Sequence, residues 1–169
     1  MLNKSFFGVA VVAAQRLLEL WYSRRNERRL RARGAVERGQ EHYPLLVALH
    51  ASWLVSTLLE ARSRPRILPL ALFLGVQPVR YWAIFSLGVH WNTRILVIPG
   101  EKPISSGPYK YFSHPNYMVV ALEVLSFPLI FGARVTALVF SVLNALLLSV
   151  RIREEERALE ELAEPPDGR

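Results

Sequence analysis

The chain has 169 residues, of which 51% are apolar and 11% aromatic, and it carries 21 Lys+Arg against 14 Asp+Glu, a formal net charge of +7. So apolar a composition with so many cations argues against an ordinary soluble domain and for membrane helices with short basic loops. There is no Cys, which excludes disulfides, thiolate nucleophiles and Cys-ligated metals. His42, His50, His90 and His114 lack the spacing of a zinc site.

Taken in chain order, five apolar runs approach the roughly 17–25 residues that cross a bilayer as helix. The first spans 6–22 and contains Gln15, Arg16 and Glu19. Lys4 and the Ala13-Ala14 pair resemble a secretory leader. The apolar run continues to Tyr22 and an arginine cluster follows, which is the pattern of a retained span. The second spans 44–60, with His50 inside. The third spans 67–89 and is broken by Gly75 and Pro78. The fourth, 117–131, is short and contains Glu123. The fifth, 134–150, is almost wholly apolar, and Gly132-Ala133 leaves room only for a tight antiparallel hairpin with the fourth.

The basic residues divide unequally. Seven arginines lie in 23–43, three Lys+Arg in 90–116 and four arginines after 150. The opposite ends carry Lys4, Arg62, Arg64, Arg66 and Arg134. The positive-inside rule then places the N-terminus outside and the C-terminus in the cytoplasm. These cations flank apolar spans and suit anionic lipid headgroups; they do not form the aromatic-interleaved surface of a nucleic-acid binder. The expectation is one all-α domain over 1–169: a multi-pass membrane bundle of about five transmembrane helices, ending in a frayed tail from Glu164 to Arg169.

Two polar elements could carry chemistry. Gly107-Pro108-Tyr109 and His114-Pro115-Asn116-Tyr117 lead from a turn-rich loop directly into the fourth span. Pro115 suits the first turn of a helix, where a missing N–H costs nothing, and the free N–H groups of such a start favour an anion. At the end of the fifth span, Arg151 and Glu155 share a helix face, with Glu156 beside them. The acids follow the cation, the weaker order for helix stabilisation, so another role is expected: Arg can hold a carboxylate bidentately and Glu can accept from hydroxyls or an amine. Taken alone, each element also reads as an ordinary helix boundary. Glu123 lies nearly two turns after Tyr117 and faces either an acceptor pocket or a partner such as Asn144 or Arg80. Glu19 reads as a structural partner of Arg16 or Gln15, and His50 as a hydrogen-bonded packing residue.

Together, Gly107-Pro108-Tyr109, His114-Pro115-Asn116-Tyr117, the short hairpin and Arg151 with Glu155-Glu156 resemble the isoprenylcysteine carboxyl methyltransferase family over roughly residues 75–160. The resemblance implies an S-adenosylmethionine-dependent methyltransferase without a metal. Its cofactor pocket would be built from 90–117 and 150–160 on the cytoplasmic side, and a lipophilic or prenylated acceptor would arrive from the bilayer. It assigns Tyr109, His114, Pro115, Tyr117, Arg151, Glu155 and Glu156 to the cofactor. Arg151 and His114 are also expected in catalysis, and, from the chemistry alone, a phenolic acceptor would need a base, for which His114 and Glu123 are the candidates. Ser113 departs from the family pattern, which has a basic residue before His-Pro. Gln15-Arg16, Glu19-Leu20, Ser23-Arg24-Arg25-Asn26, Gly34-Ala35-Val36-Glu37, Glu41-His42-Tyr43-Pro44 and Trp91-Asn92-Thr93-Arg94 further resemble bacterial members associated with type III polyketide synthases, which O-methylate alkylpyrone or alkylresorcinol products. Alternative readings are a membrane NADPH-dependent reductase, a phospholipid N-methyltransferase and a non-enzymatic carrier subunit.

Overall fold

A computed structural model describes residues 2–62 and 65–162. The expected frayed tail, Glu164 to Arg169, lies outside the described residues, as does Arg64. Five helices make the fold: α1 (Leu2–Ala32), α2 (Tyr43–Glu60), α3 (Ile67–Leu87), α4 (Pro115–Ile130) and α5 (Arg134–Leu162). All five follow the apolar runs of the sequence, and they form an all-α membrane bundle. Three have the length and hydropathy of a membrane span: 40–60, 67–90 and 134–162. The bundle surface is rich in exposed apolar residues such as Leu59, Leu68 and Phe85, each more than 70% exposed, as a lipid-facing surface requires.

Two expectations change in detail. Gly75 and Pro78 do not break α3; Pro78 lies within the continuous helix. A lone proline forfeits one backbone bond, and in an apolar environment helix remains the conformation that satisfies the rest. Helix α5 does not end near Arg151 but runs to Leu162. Its extension presents Ala158, Leu159 and Leu162 to Ile95 and Val97, so the apolar stripe there is packed.

Helix α4 is the central element, lying between α3 and α5. Its inner face and its neighbours form a core of Val12, Trp53, Phe73, Val120, Val124, Phe127, Ile130 and Phe131. Phe127 meets Trp53 and Phe73 at ring-centroid distances of 5.3 Å each. The Trp53 indole donates to the Val124 carbonyl at 3.1 Å, which satisfies the one polar atom this core contains from that ring. The α4–α5 hairpin turns at Gly132, whose φ of 78° suits a residue without a Cβ. The Glu60 carboxylate caps α5, accepting from the backbone of Val135 at 3.0 Å and Thr136 at 2.7 Å. A negative group at a helix start satisfies free N–H groups and complements the dipole.

A two-stranded antiparallel ribbon was not anticipated. β1 (Val36–Arg38) pairs with β2 (Ile95–Val97), Glu37 opposite Leu96. With three residues each, such strands leave too short a pattern to read from sequence. The ribbon joins the 33–42 and 88–114 loops at the end of the bundle where α5 projects. There Gly100 donates to the Leu162 carbonyl at 2.8 Å. At the opposite end, Arg62 and Arg66 donate backbone bonds to Phe131 and Ile130.

Candidate functional site

The site is assembled at the end of the bundle that bears the loops. Pro115 occupies the start of α4, buried, with His114 as the preceding cap residue. That start places Asn116 and Tyr117 in the first helical turn. Residues 105–114 are held against α3 by a very close approach. A Cβ on Gly107 would lie 2.0 Å from Ser86 Oγ and 2.8 Å from Ser86 Cβ, and Gly107 has φ of 61°. Only glycine satisfies both requirements.

Tyr117 is the hub. Its hydroxyl donates to Glu155 in a short bond. Its ring stacks on His114 at 5.5 Å and lies 6.0 Å from the Arg151 guanidinium. His114 Nε2 meets Glu156 Oε1 at 3.1 Å. Arg151 is buried and donates to the Thr93 carbonyl at 2.9 Å, while its Nε has no partner among the described residues. The two polar elements of the sequence therefore meet across α4 and α5. Burial, and then the Glu155 carboxylate, push the Tyr109 phenol well above its ordinary range, so it stays a neutral donor.

Two cavities adjoin here. The first is a polar cleft of about 190 Å³ lined by Arg94, Glu101, Lys102, Tyr109, His114 and Glu155 among others. The second, about 360 Å³, is mostly apolar and lies between α1 and α2, with Leu17, Leu20, Val47 and Leu54 in its walls and Arg151 at its margin. Trp91, Asn92, Asn116 and Tyr117 line both. Trp91 Nε1, Asn116 Oδ1 and Glu101 Oε2 are buried without a partner among the described residues. Such orphaned groups are uncommon unless a ligand or water completes them.

The predicted residues distribute unevenly. Tyr109, His114, Tyr117 and Glu155 line the polar cleft, and Tyr117 and Arg151 line the apolar one. Glu156 touches the site only through His114, and Pro115 acts through the helix start. Glu123 lines neither cavity. It is fully buried and accepts from Arg80 at 3.0 Å, Arg16 at 2.6 Å and Gln77 at 2.7 Å. Glu19 joins the cluster through Arg16 at 2.9 Å and through both ends of the Arg80 guanidinium. Two cations and two anions thus balance inside the bundle. Asn144, the other partner considered for Glu123, has no hydrogen-bond partner among the described residues.

The sequence put 90–117 in the expected pocket as a whole segment without singling out Trp91, Asn92 or Asn116 as wall residues. A signal was present, because Ser23-Arg24-Arg25-Asn26 and Trp91-Asn92-Thr93-Arg94 stood out as separate segments. In the structure they lock together. Asn26 donates to the Trp91 carbonyl at 2.8 Å and Ser23 receives the Thr93 amide at 3.0 Å. Tyr22 stacks on Trp91 at 5.8 Å.

Residues 68–161 match the isoprenylcysteine carboxyl methyltransferase (ICMT) family. The uncharacterized protein YpbQ of Bacillus subtilis (strain 168) is 45% identical over 159 residues, 90% of this chain and 95% of that protein. An uncharacterized protein of Haemophilus influenzae (strain ATCC 51907 / DSM 11121 / KW20 / Rd) is 29% identical over 160 residues, 90% of this chain and 93% of that protein. No solved structure gives a significant match. With more than half of its length in the match, including every residue from Tyr109 to Glu156 that builds the paired cavities, the chain belongs to the isoprenylcysteine carboxyl methyltransferase family.

Proposed function

We propose that the protein transfers a methyl group from S-adenosylmethionine to an oxygen of a lipophilic acceptor. The carrying observation is the common wall: a polar cleft and an apolar, membrane-level cavity share Trp91, Asn92, Asn116 and Tyr117. A water-soluble donor and a lipid-soluble acceptor need adjoining sites of opposite polarity, and proximity and alignment are the main requirement of a displacement at an activated methyl.

The polar cleft fits the donor. Glu155 and Glu101 present carboxylates to an amine and to ribose hydroxyls, Arg94 and Lys102 present cations to a carboxylate, and the start of α4 adds free N–H groups. The buried, unpartnered Trp91 Nε1 and Asn116 Oδ1 supply a donor and an acceptor at the wall. S-adenosylmethionine, when bound, supplies a methyl already activated by sulfonium charge. Arg151, which lines the apolar cavity, favours an anionic oxygen on the acceptor side. An acidic hydroxyl, such as that of an alkylpyrone, or the carboxylate of a prenylcysteine meets that requirement; an amine does not. The apolar walls exclude water, which would otherwise screen the attraction between anion and sulfonium. The bundle end with the ribbon and cleft faces the cytoplasm in this reading, in accord with its excess of arginine.

Calorimetry of S-adenosylmethionine binding to the purified protein tests the donor. Affinity in the micromolar to hundred-micromolar range typical of enzyme KM values is expected. Glu155→Gln should weaken it about tenfold or more, the scale of a charged hydrogen bond lost. A folded protein that does not bind the donor would sink the reading.

A further inference from the structure

The apolar cavity has a second polar region, remote from the methyl-transfer wall. Thr93 marks the level of that wall. Its carbonyl accepts from Arg151, and its hydroxyl meets Ser23 of α1 at 2.9 Å and Tyr43 of α2 at 3.3 Å. Arg16 lies seven residues before Ser23, and His50 seven residues after Tyr43. On antiparallel helices both offsets lead the same way, about 10 Å deeper into the bundle. Arg16 and His50 both line the cavity at that depth.

Their hydrogen-bonding capacity is incomplete. Arg16 donates to Glu19 and Glu123, using two of its five N–H groups, and its Nε has no partner among the described residues. His50 Nδ1 lies 2.9 Å from the Leu46 carbonyl, which can only accept. Nδ1 therefore carries the proton, and in the neutral ring the lone pair is on Nε2, which has no partner among the described residues. Edge contact with Trp53 at 6.3 Å holds the ring in place.

We propose that Arg16 and His50 form a hydroxyl-binding subsite for the acceptor, separate from the oxygen that takes the methyl. A hydroxyl is the neutral group that answers both: it donates to His50 Nε2 and accepts from Arg16. The acceptor is then an amphiphile with two oxygen functions on its head, the reacting one near Arg151 and a second buried between α1 and α2. Its alkyl part lies along the apolar walls and leaves between the helices. His50 and Arg16 are positioning residues in this scheme. The inference rests on the methyl-transfer reading for the identity of the ligand.

The test compares two probes, a long-chain 3-alkylphenol and the 5-alkylbenzene-1,3-diol of the same chain length. Binding to the detergent-solubilised protein and labelled-methyl transfer from S-adenosylmethionine are measured separately, for the native chain and for His50→Phe, which keeps a ring but no nitrogen. The native protein should prefer the diol by about tenfold or more, in binding and in KM rather than kcat, the effect of leaving buried polar groups unpaired. His50→Phe should reduce that preference to within about twofold, and His50→Gln, which retains an acceptor, should restore part of it. Equal binding of the two probes, or a preference that survives His50→Phe, overturns the subsite. A His50-dependent binding preference with no methyl transfer to either probe supports the subsite; the methyl-transfer reading then fails only if an acidic alkyl-hydroxypyrone bound at the same site is also left unmethylated.

Discussion

Glu123 is held by other side chains and lines neither cavity. Its carboxylate receives two arginines and a glutamine at the centre of the bundle. Removing its charge leaves Arg16 and Arg80 buried with a single anion, Glu19. Glu123→Gln should therefore destabilise the fold by about 3–5 kcal/mol, the cost of breaking a buried ion pair from one side. It should leave S-adenosylmethionine affinity of the folded fraction within about twofold; thermal unfolding and calorimetry in the same detergent read the two effects. A stable variant that no longer transfers methyl would instead make Glu123 a participant. Tyr117 is the contrasting case, because it lines both cavities and bonds Glu155. Tyr117→Phe keeps the ring between His114 and Arg151 and frees the carboxylate. Weaker donor binding by about 1–3 kcal/mol, with little change in thermal stability, is expected from calorimetry. At Gly107 the fault would be steric: Gly107→Ala drives a methyl into Ser86 at a positive φ, so it should lower both stability and donor affinity.

At the scale of elements, the long first helix positions the site more than it contributes to the core. Buried Ser23 and Asn26 hold the 88–93 loop through side-chain bonds to Gly88, Trp91, Asn92 and Thr93. Asn26→Ala should free this loop and move Trp91. Donor binding should weaken while the transmembrane helices remain folded, as circular dichroism would report; an unchanged affinity would contradict the role given to the loop. The ribbon supplies a second lock. Glu37, its side chain 4% exposed, pairs with Arg94 and Arg31. Burial alone would raise its pKa, but the two guanidiniums prevail and hold it below the ordinary 4.5. A depressed carboxylate stabilises the fold above its unfolded pKa and loses that contribution as pH falls through the folded value. The stability difference between the native chain and Glu37→Gln should therefore be full at neutral pH, begin to fall near the ordinary 4.5 and vanish only at pH below the depressed folded value. A difference independent of pH would exclude the ion pair as its source.

For the whole molecule, the loops, the ribbon and the α5 extension gather at one end, and the start of α1, with Arg62 and Arg66, at the other. The proposed orientation is testable because the chain has no cysteine. In intact cells, Ser105→Cys should resist a membrane-impermeant maleimide and Pro65→Cys should react; both positions are exposed. The reverse pattern would invert the topology.

The amino-acid sequence by itself determined the five helices, because runs such as 134–150 permit no other structure in lipid, where backbone groups must be satisfied within the segment. It singled out Tyr117, His114, Arg151 and Glu155 only when the two polar elements were taken together as a family resemblance, since each by itself is an ordinary helix boundary. It left open whether Glu123 meets a ligand or an arginine, since partners 43 and 107 residues away leave no periodic trace. It gave no sign that Trp91 and Asn116 divide two cavities, or that Arg16 and His50 reach one depth. Those facts depend on how helices distant in sequence are set side by side, and only the tertiary structure fixes that, because packing is decided by contacts between chain segments and not by the pattern within one.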